Sequence, residues 1–261
     1  MSAALSPITT NILRASYEHK KFAFGNPQAT QIMCLIGSCR IVPMLNFMRV
    51  YNAMHGHPFE LLCFNPVEMW DGPGCEVSAG VNRILQGFKF GKVDYLVCEH
   101  VQYCGVLNTV RSSAENVFDS LACSPGMEIR LPNWNNLHVF DAETALNDKT
   151  GYAKLGHAER VAYLREQTAI HKARFLSHCR ESSFQELESW VEERWLTTRL
   201  GWSSSHPSHP LIWKMIECVA GKIGLTISTE IANHPLCAID IYKSTGIPLT
   251  SVDYESNGWK F

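Results

Sequence analysis

A chain of 261 residues with 23 Lys plus Arg against 25 Asp plus Glu carries a formal net charge of −2, a balance that offers no polybasic footprint for nucleic acid or an anionic lipid surface. With 46% apolar and 18% charged residues, the composition suits a folded globule and excludes extended disorder. The length is about 1.7 times a ~150-residue domain and fits one large α/β domain with helical additions as well as two small ones.

Ten cysteines, none spaced as Cys-x-x-Cys, in a chain too long to depend on disulfide staples read as reduced thiols. The first residues lack a basic segment followed by a continuous apolar run, and no stretch nears the ~18 apolar residues that span a bilayer. The expectation is a soluble, cytoplasmic protein.

Residues 1–30 are mixed and polar, end in Phe24-Gly25-Asn26-Pro27 and are expected to form an irregular lead-in. Ile32-Met33-Cys34-Leu35-Ile36 is an apolar run suited to a strand buried on both faces, and it stops at Gly37-Ser38-Cys39-Arg40. Met44, Leu45, Met48 and Tyr51 then recur at helical spacing, with Pro43 in the first turn, until His55-Gly56-His57-Pro58 ends the pattern. Residues 59–64 supply the next strand, so a right-handed parallel crossover is predicted. Val77, Val81, Ile84, Leu85 and Phe88 make a helical stripe, and residues 93–98 form a third strand ending at Glu99-His100. Residues 105–135 are turn-rich with a short helix expected near 112–122, and Leu137-His138-Val139-Phe140 is the candidate fourth strand.

From 156 to 200 the chain becomes charge-rich helix in two pieces, the second opened by a cap three residues before Glu186. Residues 202–210 read as a loop, and Leu211 to Ile223 as an amphipathic helix stopped by Gly224. The expected organisation is an α/β domain over 31–225 and a C-terminal extension over 226–261 packed on it.

Gly37-Ser38-Cys39-Arg40 stands where a parallel strand turns into a helix, and there unpaired backbone N–H groups face the ligand crevice. A thiol at Cys39 would feel the positive end of the helix dipole and Arg40, which both favour thiolate, so Cys39 is the leading reactive residue. The structural alternative is a cysteine packed under the helix. His206 and His209 lie in the proline-stiffened Ser205-His206-Pro207-Ser208-His209-Pro210, where an imidazole suits general-base work near neutral pH; the alternative is that one or both cap the next helix or face water. Glu99 and His100 share the strand-end edge with Cys39 and are candidates to orient a histidine or bind substrate. His55 and His57 read as turn residues, and no zinc spacing is present. Neither G-x-x-x-x-G-K-[ST] nor G-x-G-x-x-G occurs, which disfavours a simple kinase or dehydrogenase. Trp190, Trp195, Trp202 and Trp213 read as core aromatics rather than a groove.

The apolar strand with Gly37-Ser38-Cys39-Arg40, the strand Asp94 to Cys98 with its polar end, and the long helices leading to His206-Pro207-Ser208 resemble the WcbI-type polysaccharide biosynthesis family over residues 31–225. The resemblance implies a three-layer α/β/α sandwich with a mainly parallel sheet, like that of SGNH hydrolases, and a protein that binds coenzyme A and O-acetylates a capsular sugar. Gly37 and Cys39 match the family's Gly-x-Cys turn, whereas Ser38 replaces a more usual Asn and Arg40 a more usual Gln. His206 with Pro207 matches the late His-Pro step, and His209-Pro210 fits it in another register. By implication Gly37, Ser38, Cys39 and Arg40 contact the acyl-CoA donor, His206 is the base, and the donor thioester and a carbohydrate acceptor are the partners. The Gly-x-Asn-Asp and Asp-x-x-His blocks of SGNH esterases are absent, but the Gly-Ser-Cys start, similar to that of GSCFA-type relatives, keeps an esterase or deacetylase as the alternative. A non-catalytic CoA- or carbohydrate-binding protein is the third reading. In that third reading the loop histidines are structural and the aromatics grip the ligand, whereas the catalytic reading expects Cys39 and a C-terminal imidazole to meet in one hollow.

Overall fold

The computed structural model describes residues 21–24, 29–37, 41–64, 93–98, 125–133 and 137–261. They fall into two units, one of residues up to Leu131 with Ser228–Cys237, the other Pro132–Ile227 with Ala238–Phe261.

The first unit is built on β1 (Lys21–Phe24), β2 (Gln31–Ile36), β3 (Phe59–Phe64), β4 (Val93–Cys98) and β5 (Pro125–Arg130), in the order β1-β3-β2-β4-β5. β3, β2, β4 and β5 run parallel, and β1 joins β3 antiparallel. Met33, Cys34 and Leu35 are consecutive and all buried, as a strand covered on both faces requires. Helix α1 (Val42–Met54) connects β2 to β3, with Pro43 in its first turn as expected. It buries Met44, Leu45, Phe47, Met48 and Val50, each stabilising the fold by roughly 1.5–3 kcal/mol relative to exposure.

The far end of α1 is clamped by Asn52, which is 3% exposed. Its Nδ2 donates to the Phe59 carbonyl at 2.7 Å, its Oδ1 accepts from Phe59 N–H at 3.2 Å, and its own carbonyl accepts from His57 N–H at 2.7 Å. The turn between helix and strand therefore hangs on one amide, with His57 in the left-handed region at φ +58°. His55 stacks on Tyr51 with centroids 4.1 Å apart, so both histidines serve this turn, as their positions predict.

Three segments differ from the sequence expectations. Leu137–Phe140 is not a strand: Leu137, His138 and Phe140 are buried in the second unit and Phe140 caps the following helix, so the apolar run fills a core instead of a ladder. The fourth parallel strand is β5, whose Pro125 and Gly126 are poor strand formers. Proline is tolerated there because it opens an edge strand. Lys21–Phe24, within the expected irregular lead-in, forms β1. The helices expected at 76–88 and near 112–122 lie outside the described residues.

The second unit is helical: α2 (Asp141–Leu146), a 3₁₀ turn at Tyr152–Lys154, α3 (His157–Glu181), α4 (Glu186–Arg194) and α5 (His209–Lys222). The short α6 (Thr229–Ala232) belongs to the first unit, α7 (Pro235–Ala238) follows, and after a 3₁₀ turn at Lys243–Thr245 the second unit closes with α8 (Ser251–Asn257). The residue three before Glu186, Ser183, is not the N-cap: Gln185 holds that place without a side-chain bond, and Ser182 closes α3 and accepts from Phe184 N–H at 3.0 Å. α5 ends as predicted, with Gly224 at φ +74° taking the left-handed stop.

α8 packs along α3, with Val252 in one apolar cluster with Val161 and Leu164, and a buried polar cluster centred on Asp141 of α2 reaches both helices. Asp141, 3% exposed, accepts from Tyr152 Oη at 2.6 Å and Thr250 Oγ1 at 2.9 Å and pairs with Arg160 at 2.5 Å. Asp253 accepts from Asp141 N–H at 2.8 Å and Thr250 N–H at 2.7 Å. Burial pushes the Asp253 carboxyl up, opposed by these hydrogen bonds. No helix among the described residues is long and apolar enough to cross a membrane.

Candidate functional site

In the first unit the strand order sets the place. The chain leaves β2 toward β3 on one side and reaches β4 on the other, which is the switch point where open parallel sheets leave a crevice at their carboxyl edge. Ile36 and Cys98 are register partners at that edge, and buried Gly37 follows directly. α1 then starts with Ile41 as N-cap, no side-chain cap and no acidic residue in its first turn, a donor set that fits an anionic group. Ser38, Cys39, Arg40, Glu99 and His100 lie outside the described residues.

The described cysteines Cys34, Cys63, Cys98, Cys179, Cys218 and Cys237 are buried and form no disulfides among themselves. Burial pushes the thiols of Cys179 and Cys218 up to about 12 and that of Cys237 up to about 11. These three are poor nucleophiles at neutral pH.

In the second unit the loop before α5 is a braced hairpin. Gly201 bridges Pro207, Trp202 N–H donates to the His206 carbonyl at 2.8 Å, and Ser208 N–H to the Leu200 carbonyl at 2.9 Å. Arg199 donates to the carbonyls of Gly201, Trp202 and Ile247 at 3.0, 3.2 and 2.6 Å, with its guanidinium over the Trp202 ring. Glu143, from α2, accepts from Ser204 N–H at 3.0 Å and Ser204 Oγ at 2.7 Å. Asp240 Oδ2 accepts from Trp202 Nε1 at 2.7 Å and His209 N–H at 3.2 Å.

Half-buried His206 sits within this frame. Its Nδ1 is 3.1 Å from Ser203 Oγ, and its ring stacks on Tyr242 with centroids 4.8 Å apart and planes at 17°. His209 is not a loop residue: it is the first residue of α5, with Ser208 as N-cap, and stacks on Trp213 at 6.0 Å. The helix begins two residues before the predicted Leu211 because Pro210 suits its first turn. The tryptophans divide, Trp195 being buried and Trp190, Trp202 and Trp213 half-buried.

Sequence reasoning misses Ser203, Glu143, Asp240, Tyr242 and Arg199. Ser203 could have been found from its place three residues before His206, a spacing at which a loop folds a side chain back onto its neighbour. Glu143, Asp240 and Tyr242 come from distant segments and leave no local signal. His138 is also new: fully buried, its ring lies 4.7 Å from Trp195 and 5.0 Å from Trp259, with neither nitrogen partnered among the described residues. Burial, with Arg199 nearby, pushes its imidazole down to about 3.

No family model matches the sequence, and no curated protein matches it. The chain is similar to a solved structure of WcbI, described as a novel polysaccharide biosynthesis enzyme, here the native protein without a disulfide bond between coenzyme A and one of its cysteines. The identity is 11%, the TM-score 0.50, and the match covers 84% of this chain and 81% of that one. At that identity the likeness shows the fold: this chain has a WcbI-like α/β fold.

Proposed function

We propose that this protein is a coenzyme A-dependent O-acetyltransferase acting on a sugar or polysaccharide hydroxyl. The observation that carries the reading is Gly37 at the switch point of a WcbI-like parallel sheet, opening Gly37-Ser38-Cys39-Arg40 ahead of a helix start that has no side-chain cap or acidic residue. That donor set suits the pyrophosphate of coenzyme A.

The acetyl thioester supplies an activated carbonyl. His206 takes the proton of the acceptor hydroxyl as that oxygen attacks, and returns it to the thiolate that leaves when the C–S bond breaks. Backbone N–H groups of Ser38 and Cys39 serve the developing oxyanion, and Arg40 holds phosphate charge. Cys39 either carries the acetyl group transiently or lies beside the donor thiol. Glu99 orients a histidine or binds the acceptor hydroxyls, His100 binds the acceptor, and His209 is the alternative base.

The test incubates the full chain with acetyl-CoA and a panel of sugars and follows CoA release, acetylated sugar and acetyl-Cys39 by mass spectrometry. Acetylated sugar made by the wild-type chain, and lost in Cys39→Ala and His206→Ala with the fold intact, is the expected result. Normal turnover in both variants removes these roles. CoA release with free acetate alone makes the protein a hydrolase, and binding without release makes it a binder.

A further inference from the structure

We propose that Ser203 is the positioning residue of His206: its hydroxyl accepts the Nδ1–H of the imidazole and so makes Nε2 the nitrogen that takes a proton. This rests on the reading of His206 as the base. A serine hydroxyl has two acceptor sites and one proton. One acceptor site of Ser203 takes Ser205 N–H at 3.3 Å, and Ser205 Oγ at 3.4 Å is within reach of the hydroxyl proton. The second acceptor site meets His206 Nδ1 at 3.1 Å.

Ser203 is 7% exposed, so water competes little for these bonds. The ring it addresses is fixed independently, by stacking on Tyr242 and by the bond from Trp202 N–H to the His206 carbonyl. Histidine bases are commonly oriented by a carboxylate on Nδ1. Here the two carboxylates that brace the loop address other groups, Glu143 gripping Ser204 and Asp240 Oδ2 taking Trp202 and His209. The group on Nδ1 is thus a neutral hydroxyl, and it sets the tautomer.

The test is ¹⁵N-histidine NMR of the full chain at a pH where His206 is neutral, with its signals assigned by their loss in His206→Gln. The expected result is Nδ1–H with unprotonated Nε2 in the wild type and in Ser203→Thr, and a tautomer mixture in Ser203→Ala. With acetyl-CoA as probe, Ser203→Ala lowers kcat by about tenfold, the scale of one neutral hydrogen bond, with KM unchanged, and Ser203→Thr restores it. An Nε2–H tautomer in the wild type, or no tautomer change in Ser203→Ala, overturns the proposal. Should Ser203→Ala fail to fold, the wild-type and Ser203→Thr tautomers decide. Should the wild type turn over no acetyl-CoA, the acetyltransferase reading falls while the tautomer still decides the role of Ser203.

Discussion

Glu143 grips Ser204 twice, taking its backbone N–H at 3.0 Å and its hydroxyl at 2.7 Å, so one carboxylate from α2 anchors the loop that carries His206. A hydrogen bond to a charged acceptor contributes roughly 1.5–3 kcal/mol. Glu143→Ala should leave the fold intact but free the loop. Hydrogen exchange at the Ser204 amide should quicken at least tenfold, and an unchanged rate would show that the anchor is idle.

Asn52 ties α1 to β3 through both atoms of its amide. Asn52→Ala leaves the N–H and carbonyl of Phe59 without these partners, which costs about 1–3 kcal/mol per buried group. Chemical denaturation should show a destabilisation of about 2–4 kcal/mol on the same scale, and Asn52→Asp, which sets a buried carboxylate against the Phe59 carbonyl, should lose at least as much.

His138 titrates far below an ordinary imidazole, at about 3 against 6.5. Its folded value is depressed, so the unfolded chain binds the proton first as pH falls. The resulting loss of stability is absent above about 6.5 and grows by up to ~1.4 kcal/mol per pH unit between there and about 3. Denaturation midpoints measured across pH 4–7 should slope downward toward acid, and the slope should be reduced in His138→Phe whatever that variant's stability at pH 7. An identical slope in the variant would place the acid sensitivity elsewhere.

A Cβ at Gly201 would stand 3.0 Å from His138 Cδ2 and 3.3 Å from the Ser203 carbonyl. His138 is wedged among aromatic rings and has little room to yield, so Gly201→Ala should destabilise by about 1–3 kcal/mol. It should also shift the NMR signals of Ser203 and His206. A melting temperature equal to the wild type would show that the His138 cage is loose.

The amino-acid order alone determined the strands at Gln31–Ile36, Phe59–Phe64 and Val93–Cys98, the helix from Val42 and the long helices before Trp195. Apolar period and proline position are local signals, and at these elements the tertiary pairing agrees with them. Pairing decided the rest. Pro125-Gly126-Met127 carries little strand propensity and becomes β5 because β4 offers it a ladder, while apolar Leu137–Phe140 finds no ladder and packs into a core. His206 was legible as a candidate, but its surroundings were not. Tyr242, Glu143 and Asp240 reach its loop only through the folded chain, since stacking and hydrogen bonding act through space and leave no spacing for a sequence to display.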